Sequence, residues 1–203
     1  MKQFNDKTFN QIGKPITESP HYMNTLHISF PYEYAANAAN LNWSDIFFAI
    51  TYEYMDYRSA IEHARVQLEN DNYPQAVLDL ACISSDEATF PHVIHPYIDE
   101  LVDITGENMH NAKDKIMYIL LKWVYEQGAG IDNIYFNDIL DVAESIYHDF
   151  NFPESIASFA SWRILPSSMV EPDLGSVEKN KARLLDHWKQ FLDEQERRWR
   201  SSL

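Results

Sequence analysis

Lys113 to Phe159 reads KDKIMYILLKWVYEQGAGIDNIYFNDILDVAESIYHDFNFPESIASF, and its pattern decides the fold. Ile116, Met117, Ile119, Leu120, Leu121, Trp123, Val124 and Tyr125 point in nearly every direction round a helical period. A soluble helix that is apolar on all sides is surrounded by other elements. The run of about 15 residues falls short of the roughly 20 that span a bilayer. Lys113, Asp114 and Lys115 lead it in, Lys122 interrupts it, and Gly128 and Gly130 stop it. It therefore reads as the buried centre of a helical stack, each large side chain contributing roughly 1.5–3 kcal/mol.

The second half of the stretch carries a narrower stripe. Ile139, Val142, Ala143, Ile146, Tyr147 and Phe150 recur at steps of three and four, which marks one buried helix face. Asp138, Asp141, Glu144, Ser145, His148 and Asp149 take the opposite side, read as a solvated face or as a docking surface for a basic partner. Asp138 stands where a carboxylate caps free N–H groups and opposes the helix dipole. Asn151-Phe152-Pro153 ends this helix and opens a third, carrying Ile156, Phe159 and Ala160.

Outward from there the same alternation of helix and breaker continues. Pro31 to Asn40 reads as a short alanine-rich helix, and Ser44 as the cap of the next, with Ile46, Phe47, Ile50 and Tyr54 at helical spacing. Arg58 or Ser59 opens a helix through Leu68, which Asn70-Asp71-Asn72 breaks. Pro74 starts another, striped by Val77, Leu78, Ala81 and Cys82; Pro91 and Pro96 mark two closely spaced starts. Val93, Ile94, Ile98, Leu101, Val102 and Ile104 form an apolar side there, against Asp99, Glu100 and Asp103. A last helix, capped by Ser176, buries Leu184, Leu185, Trp188, Phe191 and Leu192, with Arg197, Arg198 and Arg200 crowding its end. The predicted fold is all-α: an irregular helical bundle or a short stack of antiparallel helical hairpins, with short strands open only in the N-terminal arm. Residues 1–30 form that arm, 31–166 the helical core domain, and 167–203 a linker and C-terminal amphipathic helix packing on the same domain.

Charge narrows the function classes. The formal charge is −15 over 203 residues, and between residues 30 and 112 Arg58 and Arg65 stand against 14 Asp/Glu. Such a field repels nucleic acid and anionic membranes and speeds encounter with basic proteins. The expected partner is therefore a protein, with no direct nucleic acid and no membrane. Cys82 is the single cysteine, which forbids an intrachain disulfide, and its apolar neighbours place it as a small buried hydrophobe. The opening MKQFNDKTFNQIG has no apolar core of a signal peptide.

Catalytic and metal motifs are sparse. His92 and His95 are the one close histidine pair, bracketed by prolines and without a supporting HExxH or cysteine cluster. Asp138, Asp141, Glu144 and Asp149 do not match a calcium loop, and no phosphate-binding or nucleophile-elbow motif is present. No metal and no cofactor is expected. In the segment TYEYMDYRS, Tyr52, Tyr54 and Tyr57 alternate with acids; most of these rings read as packed, and tyrosine beside carboxylate also suits an Arg- or Lys-rich partner.

Three segments carry a family resemblance: Trp43-Ser44-Asp45-Ile46, Ala60-Ile61-Glu62-His63-Ala64, and Lys122-Trp123 followed by Asp138 to Glu144 and Ser145 to Ile156. Together, over roughly Trp43 to Pro166, they resemble a bacterial family of unknown function with an aspartate-led helix, an Ile-Tyr-x-Asp-Phe core and a following aromatic-Pro-Glu. Ile139 stands where that pattern has a proline, and Trp162 to Pro166 fits its closing motif loosely. The resemblance implies an immunity protein of contact-dependent growth inhibition, or of related toxin systems, working in the bacterial cytosol. Its partner would be a cognate basic nuclease toxin domain, in some cases an EndoU-like ribonuclease. It would act without turnover of its own, by an acidic surface. The expected contact residues are Glu53, Asp56, Tyr57, Asp99, Glu100 and Asp103. A helical adaptor unrelated to toxins is the alternative, and an enzyme with a dispersed carboxylate/histidine site is the third reading.

Overall fold

The computed structural model describes residues 24–69, 73–84, 86–105, 109–127, 138–161 and 177–200. Within them the chain is helical, with no strand. Helix α6, Met109–Gln127, lies at the centre: every residue from Lys115 to Leu121 is buried. It starts four residues before the expected lead-in, and Lys115 is inside rather than at the entrance. Helix α2, Trp43–Thr51, packs along α6 and against α5, Pro91–Thr105. Helix α3, Arg58–Gln67, packs on α4, Gln75–Ala81, which in turn packs on α5. The short α1, Tyr32–Ala38, rests on α3.

Lys115 is tolerated in the core because it is fully partnered. Its ammonium pairs with the Asp45 carboxylate, donates to the Asn40 carbonyl at 2.8 Å, and lies 5.3 Å from the Trp199 ring centre. Asp45 is wholly buried, and burial raises its carboxyl above the usual range, against the pull of Lys115 and the Asn42 N–H. Asp45 also closes a capping box with Asn42, which therefore caps α2 in place of the expected Ser44.

Helix α7, Ile139–Asp149, follows the expected stripe and start: the Asp138 side chain accepts from the Leu140 N–H at 3.2 Å. Its acidic side is not the open surface expected. Asp138, Asp141, Glu144 and Ser145 are half-buried, Lys181 pairs with Asp138 at 2.7 Å, and Asp149 is buried against Thr25. Asn151 and Phe152 both take positive φ, 60° and 57°, and the Phe152 N–H closes the helix on the Tyr147 carbonyl. After Pro153 comes a 3₁₀ turn, Glu154–Ile156, and then the single-turn α8, Ala157–Ala160, so the third helix is shorter than its pattern suggests. Helix α9, Val177–Arg200, lies on α6 and α8, with Trp188 stacked on Phe159 at 5.4 Å. Its far end meets α1: the Arg200 guanidinium donates to the Asn37 carbonyl at 2.6 Å.

Three other expectations change. Pro96 lies inside α5 and starts no helix of its own; it and His92 are both exposed, so the carbonyl that Pro96 leaves unbonded is on the solvent side. Cys82 is exposed, because α4 ends at Ala81 and the helical spacing no longer applies beyond it. Ile104, on the expected apolar side of α5, is 56% exposed. The loop glycines Gly128 and Gly130, Trp162 to Pro166, the linker 167–176 with Ser176, and residues 1–23 lie outside the described residues. Leu26, Ile28 and Phe30, at the end of the expected arm, are buried in the core.

Candidate functional site

A groove of about 720 Å³ opens between the chain leading into α1, the α2–α3 turn, α3, and one residue of α6. Glu53, Asp56 and Glu62 bring three carboxylates to it, and Phe30, Tyr57 and Trp123 bring rings. No Lys, Arg or His is among the described residues that line it.

The α2–α3 turn is held in shape from beneath. Tyr54 and Met55 are buried anchors, and both of their N–H groups return to the Ala49 carbonyl. Between Tyr52 and Tyr54 the chain reverses through Glu53, a non-glycine residue at φ 59°. That conformation costs on the order of 1 kcal/mol and persists only where the surroundings hold it. Here the Phe30 N–H bonds the Tyr54 carbonyl at 3.0 Å, and the Asn24 amide bonds the Glu53 carbonyl at 3.2 Å. The Asp56 carboxylate accepts from the Ser59 N–H at 3.2 Å, which starts α3.

Tyr32 lines the back of the groove and belongs to a buried chain of hydrogen bonds. The Trp43 indole N–H donates to Gln67 Oε1 at 3.0 Å. Indole is donor-only, so the Gln67 amide nitrogen faces His63 Nε2, at 3.1 Å, and must donate to it. His63 then carries its proton on Nδ1 and donates to the Tyr32 hydroxyl at 3.0 Å. Burial, with the Lys115 charge second, lowers His63 to about 4, so the ring is neutral. Burial, with Glu62 second, pushes the Tyr32 phenol up to about 12. Both nitrogens of His63 are engaged inside the core, so it does not serve the groove as a base.

Of the six expected contact residues, the structure brings Glu53, Asp56 and Tyr57 together in the groove. Asp99, Glu100 and Asp103 are exposed on α5, outside its lining. The two sets adjoin through Tyr57, whose hydroxyl lies 3.3 Å from His95 Nε2. Asp99 and Asp103 follow His95 by one and two turns, about 6 and 12 Å along the axis. Sequence reasoning missed Glu62, Phe30, Tyr32 and Trp123 as parts of one site. Glu62 and Trp123 both stand in segments that carry the family resemblance, but Trp123 comes from more than sixty residues downstream of the turn, and no local pattern joins them. His92 and His95 do not line the groove, and among the described residues no three His, Cys, Asp or Glu are grouped to hold a metal. No helix among them is long and apolar enough to cross a membrane.

The family described as "Uncharacterized protein conserved in bacteria (DUF2247)" matches residues 32–196, from the first residue of α1 to the last turns of α9. The chain belongs to this family. The match takes in the groove's lining residues from Tyr32 onward, including Trp123, and leaves out Ser29, Phe30 and Pro31. The catalytic subunit of a Rab3 GTPase-activating protein of Danio rerio is 30% identical over 86 residues, which is 42% of this chain and 8% of that protein. The chain thus spans a small part of that relative's length. No solved structure matches the chain.

Proposed function

We propose that this protein is an immunity protein, which neutralises a toxic nuclease domain in the bacterial cytosol by seating the domain's cationic surface on the acidic groove. The observation that carries the reading is the convergence of Glu53, Asp56 and Glu62 on one aromatic-walled groove without a cation in its described lining. A nuclease needs basic side chains where it holds phosphates. Carboxylates accept charge-assisted hydrogen bonds from those cations, and Tyr57 and Trp123 offer ring faces to a guanidinium. The acidic row Asp99, Glu100 and Asp103 extends the same field along α5 and would act chiefly on the rate of encounter. The family resemblance to immunity proteins supports the same partner, a ribonuclease in the EndoU-like case.

A helical adaptor that docks on some other protein is the second reading. The likeness to a segment of a GTPase-activating subunit, named for its action on another protein, favours it.

The test is to purify the chain with the toxin domain encoded beside its gene and measure binding and nuclease inhibition. E53Q/D56N/E62Q should weaken binding by 100-fold or more, while D99N/E100Q/D103N should mainly slow association at low salt. A wild-type chain that neither binds nor inhibits the neighbouring toxin would overturn the proposal.

A further inference from the structure

We propose that Asp149 and Phe150 are positioning residues for the groove, each holding one of its walls from the end of α7. The inference rests on the groove being the binding site. Both residues lie about a hundred positions in sequence from the two walls they hold, and neither lines the groove.

Asp149 is only 4% exposed and spends its carboxylate on the chain before α1. It accepts the Thr25 N–H at 3.0 Å and the Thr25 hydroxyl at 2.8 and 2.9 Å. Thr25 begins a segment without regular structure that ends in Ser29, Phe30 and Pro31, one wall of the groove. That segment has few bonds of its own to fix its path. Asn24 and Ile28 bond one another, and His27 takes a positive φ of 50°. Leu26, Ile28 and Phe30 seat it in the core, and among the described residues its hydrogen bonds to the rest of the fold go to Asp149, the Glu53 carbonyl and the Tyr54 carbonyl.

Phe150 is fully buried and stacks on the Tyr54 ring at 5.7 Å and 27°. Tyr54 is the anchor of the opposite wall, the turn that carries Glu53 and Asp56. The two neighbouring residues therefore reach two different segments, and those segments are bonded to each other across Phe30 and Tyr54. Loss of either grip should let Glu53 leave its left-handed conformation and change the spacing of the carboxylates.

The experiment is amide hydrogen exchange on the full chain. Asp149→Asn, Thr25→Val and Phe150→Leu should each speed exchange at Phe30, Tyr54 and Met55 about tenfold. Ile119, Leu120 and Leu121 of α6 should keep wild-type rates, and Thr25→Ser should restore protection. Equal acceleration everywhere, or none at the turn, would overturn the inference. A fluorescent octa-arginine peptide supplies a second readout: its binding should depend on Glu53, Asp56 and Glu62 and weaken about tenfold in Asp149→Asn and Thr25→Val. A wild-type chain that ignores the peptide would count against the groove as a cation site. The exchange pattern would still decide the roles of Asp149 and Phe150.

Discussion

Acidifying the protein should cost it stability through His63. The ring is 4% exposed, its Nε2 accepts from Gln67, and Lys115 adds an unfavourable charge to the protonated form. Protonating Nε2 would turn it into a donor facing the Gln67 amide, another donor. Folding thus lowers the ring from its ordinary 6.5 to about 4. Between those values the unfolded chain binds a proton that the folded chain refuses, so stability rises with pH across that window. The contribution is complete above the unfolded value and is lost as pH falls toward 4. The difference in pKa corresponds to about 3 kcal/mol, most of which is gone by pH 4.5. Urea unfolding followed at pH 8, 6.5, 5.5 and 4.5, at constant ionic strength, measures this against His63→Gln. The substitution has its own cost at pH 8, but its stability should fall less on acidification, by about the amount just given. Parallel losses in the two chains would refute the argument. So would a His63 ring found by NMR to titrate near its ordinary value.

Two further outcomes follow from the same core. Lys115→Met removes one member of a buried ion pair and should cost about 3–5 kcal/mol in urea unfolding, because the Asp45 carboxylate is left uncompensated; adding Asp45→Asn should recover part of it, and a loss below about 1 kcal/mol would contradict the burial of the pair. Glu53→Gly relieves a non-glycine positive φ and should raise the melting temperature slightly, by about 0.5 kcal/mol of stability, while it weakens binding to a cationic partner. A lower melting temperature would mean that the turn is not held in the conformation described.

The groove was half legible. Tyr57 beside Asp56 and Glu53 forms a local pattern, and a tyrosine among acids suggests a surface for cations wherever the turn is exposed. The chain could not say that Glu62, Phe30 and Trp123 would close around it, because those meet only when α1, α3 and α6 are packed. Asp149 misled for the same reason. At its position in the stripe it falls on the polar side of α7, and nothing local reveals that Thr25 comes to cover it. Cys82 and Pro96 misled through element boundaries: one lies just past the end of α4, and the other, read as a helix start, lies more than a turn inside α5.

What the amino-acid order alone determined is the all-helical class and the central place of α6. Both depend on periodicity and on breakers, which act within a few residues and need no partner to be read. Which polar groups go inside was decided by the tertiary structure alone. Lys115, Asp45, His63 and Asp149 are each charged or titratable, and each is buried against a distant residue that pairs or hydrogen-bonds with it. Burial of such groups is a property of pairs, and the pairs exist only once the helices have come together.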